Sequence, residues 1–274
     1  MKKIVLFLVA FLLTTNYIKA QINANPDLDG PVLITGDCNP MIVCSFDDIP
    51  VLHLSDTSQN TQLPPRVQND TLKFFPPLFD QGTISCCTFA SEVGYIFTYE
   101  MNRIRDASAG LAWSIMEGMD TTDLQNLYHP LFGYNFVNGG NSQHITCQTD
   151  GFKLLQSIGC PMYNYYYNNL LEGTDYGSLK AKYWMSSHDG YADVIRQKVD
   201  SIYQIQFNPS IYSTFETLKH WLYDHNEGEG SFGGLASIAV LTGGDSTTFL
   251  QNGDAIYYRL GNDPSTGHVI TIVG

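Results

Sequence analysis

Two adjacent cysteines, Cys86 and Cys87, stand directly behind Gln81-Gly82-Thr83-Ile84-Ser85 and in front of a run whose apolar residues recur at helical spacing. A cysteine on the first turn of a helix lies at the positive end of the aligned peptide dipoles, which favours thiolate over thiol and makes a nucleophile. Gln81, six positions before Cys87, can fold its side-chain amide back across the turn, so that its N–H and the cysteine's backbone N–H point at one oxyanion. The base that such a thiol needs is offered by His268, which follows Gly267 at the head of Val269-Ile270-Thr271-Ile272-Val273. A histidine there is held by a rigid element and can face a cleft, and the glycine before it lets another backbone approach. The chemistry implied is attack of a thiolate on an acyl carbon, with imidazole moving the protons.

Several elements must position these groups. Ala90, Val93, Phe97, Met101 and Ile104 recur at spacings of three and four, with Glu100 and Arg103 off the stripe, and predict a helix from Cys87 to Arg105 that Ser85 could cap. A second helix is expected from Thr149 to Ile158, stopped by Gly159 and Pro161, and a third from about Ser213 to His225 with Phe215, Leu218, Trp221 and Leu222 on one face. Residues 238–241, 255–258 and 269–273 are short apolar runs bounded by Gly and Asp, and read as strands. Pro64, Pro65, Pro76 and Pro77 exclude a helix over Leu63 to Leu78, which reads as an extended lead-in strand. Helices early and strands late predict an α+β fold with a helical half and a sheet half.

The chain has 274 residues, 43% apolar and 13% aromatic but only 15% charged, which excludes general disorder and allows a sizeable core. Its net charge of −13 repels nucleic acid and anionic membrane surfaces, so no nucleic-acid partner is expected. Lys2 and Lys3, the apolar run Ile4 to Leu13 and small Ala20 have the order of a secretory signal over residues 1–20, and the run is too short to span a bilayer. A secreted or cell-surface protein without stable membrane insertion is expected, with an N-terminal extension or pro-segment at 21–62 and one domain from 63 to 274. Export permits disulfides. Cys38 with Cys44 and Cys147 with Cys160 could each close a local loop, whereas neighbouring Cys86 and Cys87 would bond to each other only with strain. No C-x2-C pair points to structural zinc, no loop has the carboxylate spacing of an EF-hand, and no metal or other cofactor is expected.

These pieces together resemble the papain-like cysteine peptidases, and more closely their secreted bacterial relatives. The resemblance is carried by Leu63-Pro64-Pro65 with Val67, Asp80-Gln81-Gly82, Ser85-Cys86-Cys87-Thr88, Asn138-Gly139-Gly140 and Gly267-His268 before an apolar strand, in the family's order. It implies a two-lobe α+β fold with the cleft between the nucleophile's helix and the histidine's sheet. It also implies a cysteine endopeptidase in which Gln81 serves the oxyanion, Cys87 is the nucleophile and His268 is the base. Cys86 is the alternative nucleophile: a one-residue deletion would place it at the reactive position, with Phe89 and Ala90 on the family's Phe and small residue. The family's second cysteine usually bonds toward the Asn-Gly-Gly region, which implies Cys86 with Cys147, or else an unpaired Cys86. Thr88 stands where the family commonly has an aromatic residue. The interval from Cys87 to His268 exceeds the usual roughly 130–150 residues, and an insertion around 165–210 would absorb the excess. The chain reads as ending just after the histidine strand, short of the orienting Asn and of the last strands of the sheet.

Alternatives from other classes are a catalytically inactive papain-fold binding or surface domain, and a cysteine acyltransferase using the same dyad. The expected partner is a peptide or protein substrate, with the chain a monomer. His53, His129, His144, His188, His220 and His225 read as surface or packing residues, and Tyr163-Asn164-Tyr165-Tyr166-Tyr167 as packing beneath a loop, with a carbohydrate or peptide platform as the alternative.

Overall fold

The computed structural model describes residues 46–56, 58–113, 120–139, 141–168, 188–206, 215–228, 232–241, 245–249, 255–259 and 267–274. The expected leader, most of the expected extension and much of the expected insertion lie outside them. The helix expected behind the two cysteines starts as α1 (Cys87–Phe89), widens into a π-helix (Ala90–Phe97) and continues as α2 (Thr98–Arg105). Then follow α3 (Pro130–Val137), α4 (Asp150–Ser157), α5 (Tyr163–Asn168), α6 (His188–Arg196) and α7 (Glu216–Asp224). The strands are β1 (Ala236–Leu241), β2 (Asp245–Phe249), β3 (Ala255–Arg259) and β4 (Gly267–Ile272). The architecture is mixed α+β with helices first and strands last, as the order of patterns predicts.

β1 and β4 pair antiparallel, with Ala236 opposite Ile272 and Leu241 opposite Gly267. β2 and β3 form a second antiparallel pair between them, with Asp245 opposite Arg259. β2 was not expected, because Asp245-Ser246-Thr247-Thr248-Phe249 has no apolar run; its partner, not its composition, makes it a strand.

The helix from Cys87 to Arg105 forms where expected, but its periodicity is broken. The Thr98 N–H reaches the Val93 carbonyl five residues back, the bonding of a π turn. This wider turn shifts the buried face. Val93 and Phe97 enter the core as the stripe predicts, but beyond the π turn Tyr99 and Asn102 are buried while Ile104 is 70% exposed. Both side chains reach backbone carbonyls: Asn102 Nδ2 donates to those of Phe74 and Asn126 at 3.2 and 3.0 Å, with Oδ1 buried and without a hydrogen-bond partner, and Tyr99 Oη donates to the Gly233 carbonyl at 2.6 Å.

Phe89, Val93 and Phe97 pack with Leu127, Tyr128, Leu131, Leu154 and Leu155 in the main core. Gly133 admits the Phe89 ring, since a Cβ there would stand 2.7 Å from it. Tyr163 and Tyr166 are buried against His129, in the packing role expected of them, while Tyr165 is exposed. Burial pushes the His129 imidazole down to about 3, so it is a neutral core residue.

The extended strand expected over Leu63 to Leu78 does not form, because the segment turns at 69–75 between its proline pairs. A short 3₁₀ turn (Asn69–Thr71) anchors it instead. Asn69 is buried, its N–H donates to the Val273 carbonyl at 2.9 Å, and its Nδ2 donates to the carbonyls of Leu222 and Gly234 at 2.8 and 2.9 Å. The part of the expected extension that is described is tied down as well. Leu52 N–H donates to Gln204 O at 2.8 Å, Gln204 N–H donates to Pro50 O at 2.9 Å, and Asp48 pairs with Lys153 at 3.0 Å.

Removing the Tyr99 hydroxyl tests the register beyond the π turn. Tyr99→Phe leaves the Gly233 carbonyl without this donor, and the expected loss is about 1–3 kcal/mol, read as a lower urea midpoint with an unchanged slope.

Candidate active site

Asp80 begins the site. Its Oδ1 accepts the Gly82 N–H at 2.8 Å, and the Ile84 N–H returns to the Gln81 carbonyl at 3.1 Å. The turn passes through φ +55° at Gly82, a left-handed conformation that glycine adopts without steric cost. The helix places Tyr95 behind it, whose Oη accepts the Phe79 N–H at 2.8 Å. Ser85 does not cap the helix as expected. Its N–H donates to the Ser142 carbonyl at 2.9 Å, and the N-cap is Cys86, which makes no side-chain cap bond.

The two cysteines therefore face different surroundings. Cys86 is 0% exposed within the main core, and burial pushes its thiol up to about 12, the neighbouring Cys87 charge adding to the effect. Cys87 is the first helical residue and half-buried, and its thiol meets the His268 ring on β4. Burial alone would raise the Cys87 pKa. The His268 ring, the Val269 N–H, the charge of His268 and the Thr88 N–H together outweigh that burial and hold the pKa below the ordinary thiol value. His268 responds reciprocally. Its interaction with the Cys87 sulfur raises its pKa, burial opposes this, and the thiolate's charge raises it further. The two shifts have one sign of meaning: each group favours the charged form of the other.

A second contact fixes helix to strand. Ser91, one turn beyond Cys87 and buried, shares a hydrogen bond of 2.8 Å with the Thr271 hydroxyl and donates to the Ile270 carbonyl at 3.2 Å. The sulfur and the imidazole are thus presented by two elements joined at the site and again three residues along β4.

Gln81 lies half-buried on the turn that precedes the cysteines, and its side-chain amide donates no hydrogen bond among the described residues. The Cys87 backbone N–H is one of the orphan donors of the first helical turn, and it too is unengaged among the described residues. Unengaged N–H donors of this kind are what stabilisation of an oxyanion uses. The loop 141–149 braces this turn. Gln143 Nε2 donates to Thr83 O at 2.5 Å, and Gln148 Nε2 donates to Ser237 O of β1 at 3.0 Å, so one loop touches both the Gln81 turn and the sheet.

The cysteine pairings need correction. Cys86, Cys87 and Cys160 are free. Cys147 is disulfide-bonded, so neither Cys147 with Cys160 nor Cys86 with Cys147 forms; its partner lies outside the described residues, as do Cys38 and Cys44. His144 is exposed and contributes its backbone carbonyl to Tyr134 Oη at 2.8 Å, not its ring to the thiol. Among the described residues no group of His, Cys, Asp and Glu could hold a metal ion, and no helix is long and apolar enough to cross a membrane. Ser91, Thr271, Gln143 and Gln148 escaped the sequence reading, since polar residues of ordinary type signal nothing until their partners are known.

Comparison of the chain with protein-family models, characterised proteins and solved structures finds no match.

Brief alkylation near pH 6 separates the free thiols of Cys86, Cys87 and Cys160. Cys87 is expected to label quickly and Cys86 and Cys160 hardly at all, with the Cys87 rate falling about ten- to a hundredfold in His268→Ala. Peptide mass mapping reads the result directly.

Proposed function

We propose that the chain is a secreted papain-like cysteine endopeptidase that hydrolyses peptide bonds through Cys87 and His268, with Gln81 serving the oxyanion. The observation that carries this reading is the half-buried thiol at the start of a helix, its pKa lowered against a histidine whose own pKa is raised. Buried structural cysteines have the opposite shift, as Cys86 and Cys160 do. The mixed α+β architecture, with the nucleophile on a helix and the base on an antiparallel strand, agrees with the two-lobe fold that the motifs resemble.

In this mechanism the Cys87 sulfur attacks the peptide carbonyl carbon and forms a C–S bond. The carbonyl oxygen takes up negative charge and is held by the Cys87 N–H and the Gln81 amide. The His268 imidazolium gives its proton to the amide nitrogen, the C–N bond breaks, and the amine leaves an acyl-enzyme. Water then attacks the thioester, His268 accepts its proton, and the thiolate departs as the acid product forms.

The shifts fix the pH dependence. Activity needs Cys87 ionised and His268 charged, so the acid limb of kcat/KM lies below the ordinary thiol range and the alkaline limb above the ordinary imidazole range. Cys87→Ala is expected to abolish hydrolysis of an unstructured protein substrate, and Cys86→Ala to retain it. The intact mass of wild type quenched in acid during turnover gains an acyl group on Cys87. Hydrolysis that survives Cys87→Ala contradicts the assignment. Transfer to added amines in excess of hydrolysis points instead to the acyltransferase.

A further inference from the structure

Glu92 lies on the π-helix, five residues after Cys87, and is 0% exposed. An acid in the core of the nucleophile's helix takes no part in the chemistry above. Its Oε2 accepts the N–H of Phe152 at 3.0 Å and interacts with the N–H of Gly151, both in the first turn of α4, while Oε1 is buried without a hydrogen-bond partner. Thr149, the N-cap of α4, makes no side-chain cap bond, so the carboxyl of another helix does its work. Position 151 is shaped to this contact: a Cβ there would stand 2.4 Å from Oε2.

The first turn of α4 is also the end of the loop 141–149. Asp150 Oδ2 accepts the Cys147 N–H at 2.7 Å and fastens that loop to the helix. The loop in turn holds the Gln81 turn through Ser142 and Gln143, and β1 through Gln148. Hydrogen bonds joined by the backbone of 142–152 therefore link the helix of Cys87, through Glu92 and α4, to the turn that carries Gln81.

We propose that Glu92 is a positioning residue, an internal brace from the nucleophile's helix to the first turn of α4 that sets the oxyanion turn of Gln81 against Cys87. It deepens the peptidase reading and rests on it for the catalytic consequence. The brace acts on the Gln81 side of the site, whereas the Cys87–His268 pair is tied separately through Ser91 and Thr271. Glu92→Gln keeps an oxygen acceptor of the same reach, and Glu92→Ala removes it.

The test compares Glu92→Ala, Glu92→Gln and Gly151→Ala in the full chain by amide hydrogen exchange, Cys87 alkylation and hydrolysis of an unstructured protein substrate. In Glu92→Ala, exchange is expected to quicken at Ser85 and across 142–152 but not across β1 and β4. Hydrolysis falls by about tenfold or more, as misplacement of a positioned group does, while the alkylation rate of Cys87 holds. Glu92→Gln restores both. A merely structural role would lower hydrolysis and alkylation together and raise exchange throughout, and that result overturns the proposal. Should Glu92→Ala fail to fold, Gly151→Ala strikes the same contact from the other side. It is expected to open 142–152 and lower the melting temperature, although alanine is the better helix former. A higher melting temperature with wild-type exchange in Gly151→Ala also overturns it. If the unaltered chain hydrolyses nothing, the peptidase reading fails, and the exchange pattern still decides the brace.

Discussion

A half-buried thiol keeps a lowered pKa only while a compensating partner stays beside it, because burial by itself drives the proton back onto sulfur. At Cys87 that compensation comes mainly from His268, on a strand far along the chain, with the Val269 and Thr88 N–H groups adding to it. The helix start and the head of β4 must therefore be held against each other, and much of the surrounding structure serves this end. Ser91 joins Thr271 and the Ile270 carbonyl one helical turn away from the thiol. Asn69 holds the far end of β4 through Val273 and joins it to the end of α7 and to Gly234, just before β1.

The fold achieves this with polar groups buried in an otherwise apolar core. Asn69, Ser91, Glu92, Tyr99 and Asn102 all lie at or below 4% exposure, and each bonds a backbone group or side chain of a distant segment. Such bonds add only modestly to net stability, but leaving one unmade inside the core is costly, so they select one arrangement of helix and strand over near alternatives. Four of the five lie within the π-helix or the helix that continues from it. The wider turn is what rotates Tyr99 and Asn102 inward and Ile104 out to solvent.

The sequence was informative where local pattern and local chemistry agree. The helix behind Cys87, the strand behind His268, and the order of helices before strands all follow from periodicity and from flanking glycines. The π turn was not legible, since a stripe at spacings of three and four assumes one helical period, and a single wider turn shifts every later position. β2 was hidden for a related reason: its polar residues become a strand only by pairing with β3. The choice between the two cysteines stood open because spacing counts residues and not environments. One falls on the core face and the other on the strand-facing side of the same first turn. Glu92 was invisible as a cap because its helix is another segment's partner, although an acid five positions beyond a candidate nucleophile, among Ala90, Val93 and Phe97, is an anomaly that a charge-by-position reading could have flagged.

The central claim is that Cys87 and His268 ionise as a pair, and it is tested most directly by following both protonation states across pH in the intact chain. Thiolate absorbance in the far ultraviolet reports the sulfur, and nitrogen-labelled imidazole resonances report His268. The account predicts that Cys87 keeps its thiolate at pH values where an ordinary thiol, with pKa about 8.5, is protonated, and that His268 stays charged where an ordinary imidazole, with pKa about 6.5, is neutral. Cys87→Ala should return His268 to the ordinary range. Independent titration of both groups at their ordinary values, with His268 indifferent to the loss of Cys87, would contradict the account.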